Sequence, residues 1–173
     1  MGRPGFKPGG WRHASPGGFD SHVPPPFFFA MNLSDVVFPP DLHYLVEHDV
    51  WARVHGDGSA TVGITALGIK MSGEIHMCRA KPVGSQIEQG RAIAVVELAK
   101  AIVSVKSAVA GTVLAVNPRL EESPELVHSD PYGDGWIARL ALRDLDADRA
   151  RLVQGDEVLE AMARHAATFE ELE

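Results

Sequence analysis

Lys100 stands in the run Val95-Val96-Glu97-Leu98-Ala99-Lys100-Ala101-Ile102-Val103-Ser104-Val105, a single basic residue between two arms rich in β-branched residues. Alanine flanks it on both sides. This pattern predicts a lysine at the tip of a β-hairpin. A primary amine held clear of the surface on a tight turn suits acylation by another enzyme. The same run also fits an ordinary hairpin lysine, which turns carry at no cost. Beyond it, Lys106-Ser107-Ala108-Val109-Ala110-Gly111-Thr112-Val113 leads into a further strand.

Other residue types offer less chemistry. There are eight histidines; His43 and His48 have no helical pattern to align them, and His55, His76 and His128 are scattered. Neither Cys-x-x-Cys nor His-Glu-x-x-His occurs, so no metal site is expected. Cys78, the one cysteine, excludes an internal disulfide and is expected to be a small buried residue in a strand. A reducing compartment, and hence a cytoplasmic location, is expected. No glycine-rich phosphate loop and no Ser-His-Asp signature is present, so the chain is expected not to be an enzyme. Asp130-Pro131-Tyr132-Gly133-Asp134-Gly135-Trp136 reads as a packed structural loop near the lysine-bearing end. In that reading Asp130 or Tyr132 bonds inside the turn and Trp136 begins a strand.

Composition bounds the remaining classes. With 173 residues, 45% of them apolar, one domain with appendages is expected. A formal net charge of -7 argues against a nucleic-acid partner, which would call for a basic stripe. No apolar stretch approaches the roughly 18 residues that a membrane span needs. Phe27-Phe28-Phe29 is too short for a signal-peptide core.

The elements that must position Lys100 follow from periodicity. The first thirty residues hold six glycines and six prolines, a composition unable to bury enough surface to offset chain entropy. Residues 1–34 are therefore expected to be a disordered extension, or an upstream segment absent from the native product. Residues 35–143 read as β. Strands are expected at Val50–Val54, Ala60–Thr65, Gly73–Cys78, Ala92–Glu97, Ile102–Lys106, Thr112–Val116 and Trp136–Leu142. Turns fall at Gly56-Asp57-Gly58, Val83-Gly84-Ser85 and Glu88-Gln89-Gly90. Many short strands at close spacing favour a small sandwich or barrel. Ser72-Gly73-Glu74-Ile75 and Ala110-Gly111-Thr112-Val113 form a faint internal echo. Residues 144–173 change period: a short helix over Asp144–Leu152 is expected, then Gly155 as a break. An amphipathic helix follows, with Val158, Leu159, Met162, Ala163, Ala166 and Phe169 on its apolar face.

Four blocks then follow in order: Gly56-Asp57-Gly58; Thr61-Val62-Gly63-Ile64-Thr65; Val96-Glu97-Leu98-Ala99-Lys100-Ala101; and Glu125-Leu126-Val127-His128-Ser129-Asp130 continuing to Trp136. Together they resemble the H-protein of the glycine cleavage system, over roughly residues 38–142. The resemblance implies a mainly β fold, a flattened β-sandwich or barrel-sandwich hybrid of the lipoyl-domain type with a C-terminal α-helix. It implies lipoate in amide linkage at Lys100, which matches the lysine of the family's Glu-Ser-Val-Lys-Ala motif. Glu97 matches the glutamate of that motif and would help a lipoylating enzyme recognise the hairpin, unless it is only a solvated edge-strand carboxylate. Lys106 falls at a strand position and is a poor rival.

The resemblance further implies a non-catalytic carrier that shuttles an aminomethyl group between partner enzymes. Its partners would be glycine decarboxylase, aminomethyltransferase and dihydrolipoyl dehydrogenase, with no nucleic acid and no membrane involved. Leu98 and Ala99 depart from the usual serine and valine, and Ser104 stands where the family pattern has an acidic residue. These departures leave room for an H-like lipoate-binding protein of another pathway, such as sulfur oxidation, or for an unmodified scaffold of the same fold. The Met-Lys-Met flanks of biotinyl domains are missing.

Overall fold

Alternation sets the two faces of the first long hairpin. In β2 (Val50–Val54), Val50 and Ala52 point into one apolar cluster while Trp51 points into another, as a period of two requires. β3 (Ser59–Ile64) runs antiparallel to β2 with Trp51 opposite Gly63 and Val54 opposite Ala60. The turn between them is held by Asp57, whose carboxylate accepts from the Ser59 N–H and hydroxyl at 3.1 and 2.5 Å. The hydroxyl bond is the main cause that holds this exposed carboxyl below its ordinary range.

The computed structural model describes residues 33–170. A six-stranded antiparallel sheet has the order β1-β2-β3-β9-β8-β5. Its outer members are β1 (His43–Leu45) and β5 (Gln86–Ile87), and its inner ones include β8 (Gly111–Val116) and β9 (Ala138–Leu142). A three-stranded sheet, β4-β6-β7, comprises Ile75–Ala80, Ala92–Leu98 and Ile102–Lys106. One buried cluster gathers Val50, Val62, Val113 and Leu140 from the first sheet with Ile75, Cys78, Ile93, Val96 and Val105 from the second. The two curled sheets therefore share a core, the sandwich expected from the strand spacing.

The opposite face of β1 and β2 is covered by helices. Tyr44 and Trp51 pack with Leu67 of α1 (Ala66–Ser72) and with Val158, Met162 and Ala166 of α4 (Glu157–Glu170). Burying each of the larger side chains contributes about 1.5–3 kcal/mol. The buried stripe of α4 is narrower than its apolar pattern predicts: Leu159 and Phe169 are exposed, as is Ala163. Between β8 and β9 lies α2 (Leu126–Ser129), and α3 (Leu145–Asp148) with one further 3-10 turn fills the stretch expected to be a short helix.

Several expectations are corrected. Residues 66–72, read as part of a β region, form α1, because Thr65 caps it: its Oγ1 accepts the Gly68 N–H at 3.0 Å. Thr65 thus ends β3 rather than extending it, and Gly73 closes the helix rather than starting a strand. Gly111 lies inside β8, so the internal echo joins two glycines with different roles. Trp136 precedes β9. Of the segment expected to be disordered, Leu33 and Ser34 belong to a 3-10 turn, Leu33–Asp35, with Leu33 against the helix-covered cluster. The rest of residues 1–34 lies outside the described residues, as do residues 171–173.

Candidate functional site

β6 and β7 form a hairpin with Ala94 opposite Val105, Val95 opposite Ser104, Val96 opposite Val103 and Glu97 opposite Ile102. The Leu98 N–H donates to the Ala101 carbonyl at 2.8 Å, leaving Ala99 and Lys100 as the two loop residues. Neither takes a positive φ, so the turn forms without the Asn-Gly chemistry of primed hairpins. The root of the hairpin is fixed by Val96 and Val105, both buried in the shared core. Lys100 at the tip is exposed and makes no hydrogen bond or ion pair with any described residue. An amine without a described partner, at a hairpin tip between two alanines, is sterically open to an acylating enzyme.

Glu97 is exposed, three residues before the tip. It sits on the middle strand of the three-stranded sheet, opposite Met77 on one side and Ile102 on the other. The alternative reading of Glu97 as a solvated edge-strand carboxylate is corrected in one part: the carboxylate is exposed, but its strand is the central one and β4 and β7 are the edges. Its carboxylate has no partner among the described residues. Lys106 lies at the far end of β7, opposite Ala92, with its Nζ donating to Ser104 Oγ at 2.8 Å. Ile102, Val103 and Val95 leave apolar surface exposed around the tip, the kind of surface that docking partners use.

Beside the hairpin a cleft of about 140 Å³ runs between β7 and α1, lined by Asp49, Gly68, Ser72, Val96 and Val103 among others. Asp49, which belongs to no motif in the sequence, takes a left-handed conformation at φ 55°. Its Oδ2 meets His165 Nε2 of α4 at 2.9 Å, while its buried Oδ1 has no partner among the described residues. Burial raises the Asp49 carboxyl and the His165 contact opposes the rise. No local signal marks this residue, because the pairing partner lies at the other end of the chain.

The Asp-Pro-Tyr-Gly-Asp-Gly-Trp block is structural in detail. Asp130 closes its own turn: the Gly135 N–H donates to the Asp130 carbonyl and the Asp134 N–H to its Oδ2, both at 2.8 Å. Of the two residues expected to bond inside the turn, Asp130 is the one that does, and Tyr132 reaches out of it. Its hydroxyl accepts the first N–H of α1, from Ala66, at 3.0 Å and donates to the Val37 carbonyl at 2.8 Å. The Pro131 carbonyl accepts from Trp51 Nε1 at 3.1 Å.

Histidines are employed singly: His128 Nε2 accepts the Ile75 N–H at 2.9 Å, and His55 Nε2 lies 2.8 Å from Thr61 Oγ1. Among the described residues no group of three or more His, Cys, Asp or Glu could hold a metal ion. Cys78 is buried in β4, which pushes its thiol up to about 11. No helix among the described residues is long and apolar enough to cross a membrane.

Comparison with known proteins converges on one family. The glycine cleavage H-protein family model matches residues 42–165. The chain is 37% identical over 129 residues to the glycine cleavage system H protein 2 of Aquifex aeolicus, covering 75% of this chain and 80% of that protein. To the glycine cleavage system H protein of Mycobacterium avium it is 42% identical over 115 residues, covering 66% of this chain and 85% of that one. Among solved structures, a glycine cleavage system H protein from Mycobacterium marinum superposes with a TM-score of 0.59 at 24% identity, over 71% of this chain and 97% of the other. That likeness shows a shared fold, of the lipoyl-domain type.

Proposed function

As this chain belongs to the glycine cleavage H-protein family, we propose that Lys100 is its lipoyl attachment point and that the loaded arm serves glycine cleavage. Members of the family are non-catalytic carriers holding lipoate covalently on a lysine. The observation that carries the reading is the Lys100 amine: exposed at a two-residue tip, anchored by buried Val96 and Val105, and without an internal partner. A buried or ion-paired amine would resist acylation; this one has neither obstacle.

Lipoate supplies a dithiolane that can be reduced, can accept an aminomethyl group and can be reoxidised. The protein's own residues do the rest. Acylation removes the Lys100 charge, and the hairpin fixes where the arm begins, which raises its local concentration at each partner's active site. Glu97, unpaired and on the same hairpin, offers the lipoylating enzyme a carboxylate to read. Partners on this reading are glycine decarboxylase, aminomethyltransferase and dihydrolipoyl dehydrogenase, in the cytoplasm.

A second reading, a lipoyl carrier of another pathway such as sulfur oxidation, draws on Leu98, Ala99 and Ser104 around the lysine. An unmodified scaffold is the third. Glycine-dependent bicarbonate exchange with the decarboxylase separates them. Exchange supported by the lipoylated protein establishes the glycine cleavage role; none from a fully lipoylated sample assigns the arm elsewhere. Absence of lipoate from protein made in cells that supply it would leave the scaffold.

A further inference from the structure

A second recess lies on the six-stranded sheet, and its residues are unrelated to the hairpin. Register places Arg53 of β2 opposite Thr61 of β3, Thr61 opposite Arg139 of β9, and Arg139 opposite Ala115 of β8. Two guanidinium groups thus flank a threonine in one cross-strand row. His55 follows Arg53 by two residues and shares its face, with Nε2 at 2.8 Å from Thr61 Oγ1. Trp136 joins them from the loop before β9. These residues line a space of about 340 Å³ that contains no carboxylate.

We propose that this recess binds a phosphate group, carried free or on a small monoester. Both guanidinium forks are held in place by bonds that leave donors over. Arg53 donates from Nη2 to the Tyr132 carbonyl at 3.0 Å and lies 5.4 Å from the Trp51 ring centre. Its Nε and Nη1 make no bond within the described chain. Arg139 donates from Nε to Ser59 Oγ at 2.9 Å and from Nη2 to Asp57 Oδ2 at 2.5 Å, which leaves Nη1. Asp57, outside the lining, offsets one of the two charges, and among the described residues no ion pair offsets the other. Pre-oriented planar forks are the groups that chelate phosphate oxygens. In the tautomer that carries its proton on Nε2, His55 donates to Thr61 Oγ1 and the threonine hydroxyl proton is left for a ligand between the two arginines. A cationic recess on a chain of net charge -7 would concentrate an anion at one place against the repulsion of the remaining surface.

The test is a titration of the full-length protein with inorganic phosphate and, separately, with phenyl phosphate, at constant ionic strength against chloride. The Trp136 indole N–H and the Arg53 Nε–H would be followed by NMR. Saturable shifts at both groups, absent with chloride, are expected. Equal affinity for the two ligands identifies free phosphate as the ligand, and tighter binding of the ester identifies a monoester resting on the indole. Arg53→Gln and Arg139→Gln should each weaken binding by about tenfold. Because Arg53→Gln also removes the bond to Tyr132, Ala115→Glu serves as a second variant: it sets a carboxylate in the recess without touching an existing bond, and should abolish binding. Shifts that never saturate, that chloride reproduces, or that survive in folded Ala115→Glu would overturn the proposal.

Discussion

Trp51 and Gly63 face each other across β2 and β3, and the indole occupies the space that a side chain at position 63 would need: a Cβ on Gly63 would lie 2.6 Å from Trp51 Cζ2. The ring is fully buried, and its Nε1–H is shared between the Ile64 carbonyl at 3.0 Å and the Pro131 carbonyl at 3.1 Å. One glycine therefore lets the sheet take a tryptophan that ties β2 to the loop before β9.

This pairing predicts a non-additive double-mutant cycle. Trp51→Ala should cost about 3–5 kcal/mol and Gly63→Ala about 1–3 kcal/mol from overpacking. In the Trp51→Ala background, Gly63→Ala should cost close to nothing, because the clash is gone. Urea midpoints of the four proteins measure the coupling; additive costs would show that the ring does not set the glycine.

Tyr132→Phe tests whether the loop before β9 holds α1. The change keeps the ring beside Trp51, at 5.9 Å between centroids, but removes the acceptor for the Ala66 N–H and the donor to Val37. A loss of roughly 1–3 kcal/mol is expected, with amide exchange at Ala66 faster than elsewhere in α1. Burial pushes the Tyr132 hydroxyl up to about 12, so the pair of bonds should persist across the neutral range.

Stability should fall as the solution is acidified below neutrality. Burial lowers His43, with the Arg149 charge adding to it, and burial also lowers His48 against the opposing pull of Glu47. His43 Nδ1 is buried without a hydrogen-bond partner among the described residues. A base lowered in the fold binds its proton more readily when unfolded, so stability rises with pH through the window below the ordinary value of 6.5 and is lost as pH falls through it. Asp49 and Asp148, raised by burial, act with the opposite sign in the window above 3.8. His43→Gln should flatten the slope just below 6.5; urea unfolding at stepped pH measures it, and an unchanged slope would contradict the assignment.

How much of this could be read beforehand depended on how local its causes are. The Lys100 hairpin was legible because β-branched arms and small flanking residues act within a few positions. Helix α1 was not: Gly68 lowers its helical propensity, and the Tyr132 hydroxyl that caps Ala66 comes from a distant loop. For α4 the presence of a helix followed from its period, but which apolar residues are buried depended on where Tyr44 and Trp51 meet it, and that excluded Leu159 and Phe169. The strands β1 and β5 leave no signal in the sequence, because three and two residues show no alternation. Arg53 and Arg139 carry no shared motif; only the strand order unites them.

Glu97→Gln should leave folding within about 0.5 kcal/mol of the parent, since the carboxylate is exposed and unpaired. Lipoylation in vitro should slow by roughly tenfold if that charge guides encounter with the lipoylating enzyme. An unchanged rate would mean that the enzyme does not use it.

On the proposed function, Lys100 and no other amine takes the lipoyl group. Proteolytic mass mapping of protein from cells that supply lipoate, with Lys100→Arg alongside, tests it directly. The modification is expected on the peptide containing Lys100, and none on the folded variant. Lipoate on Lys106, or on any residue of the arginine variant, would contradict it.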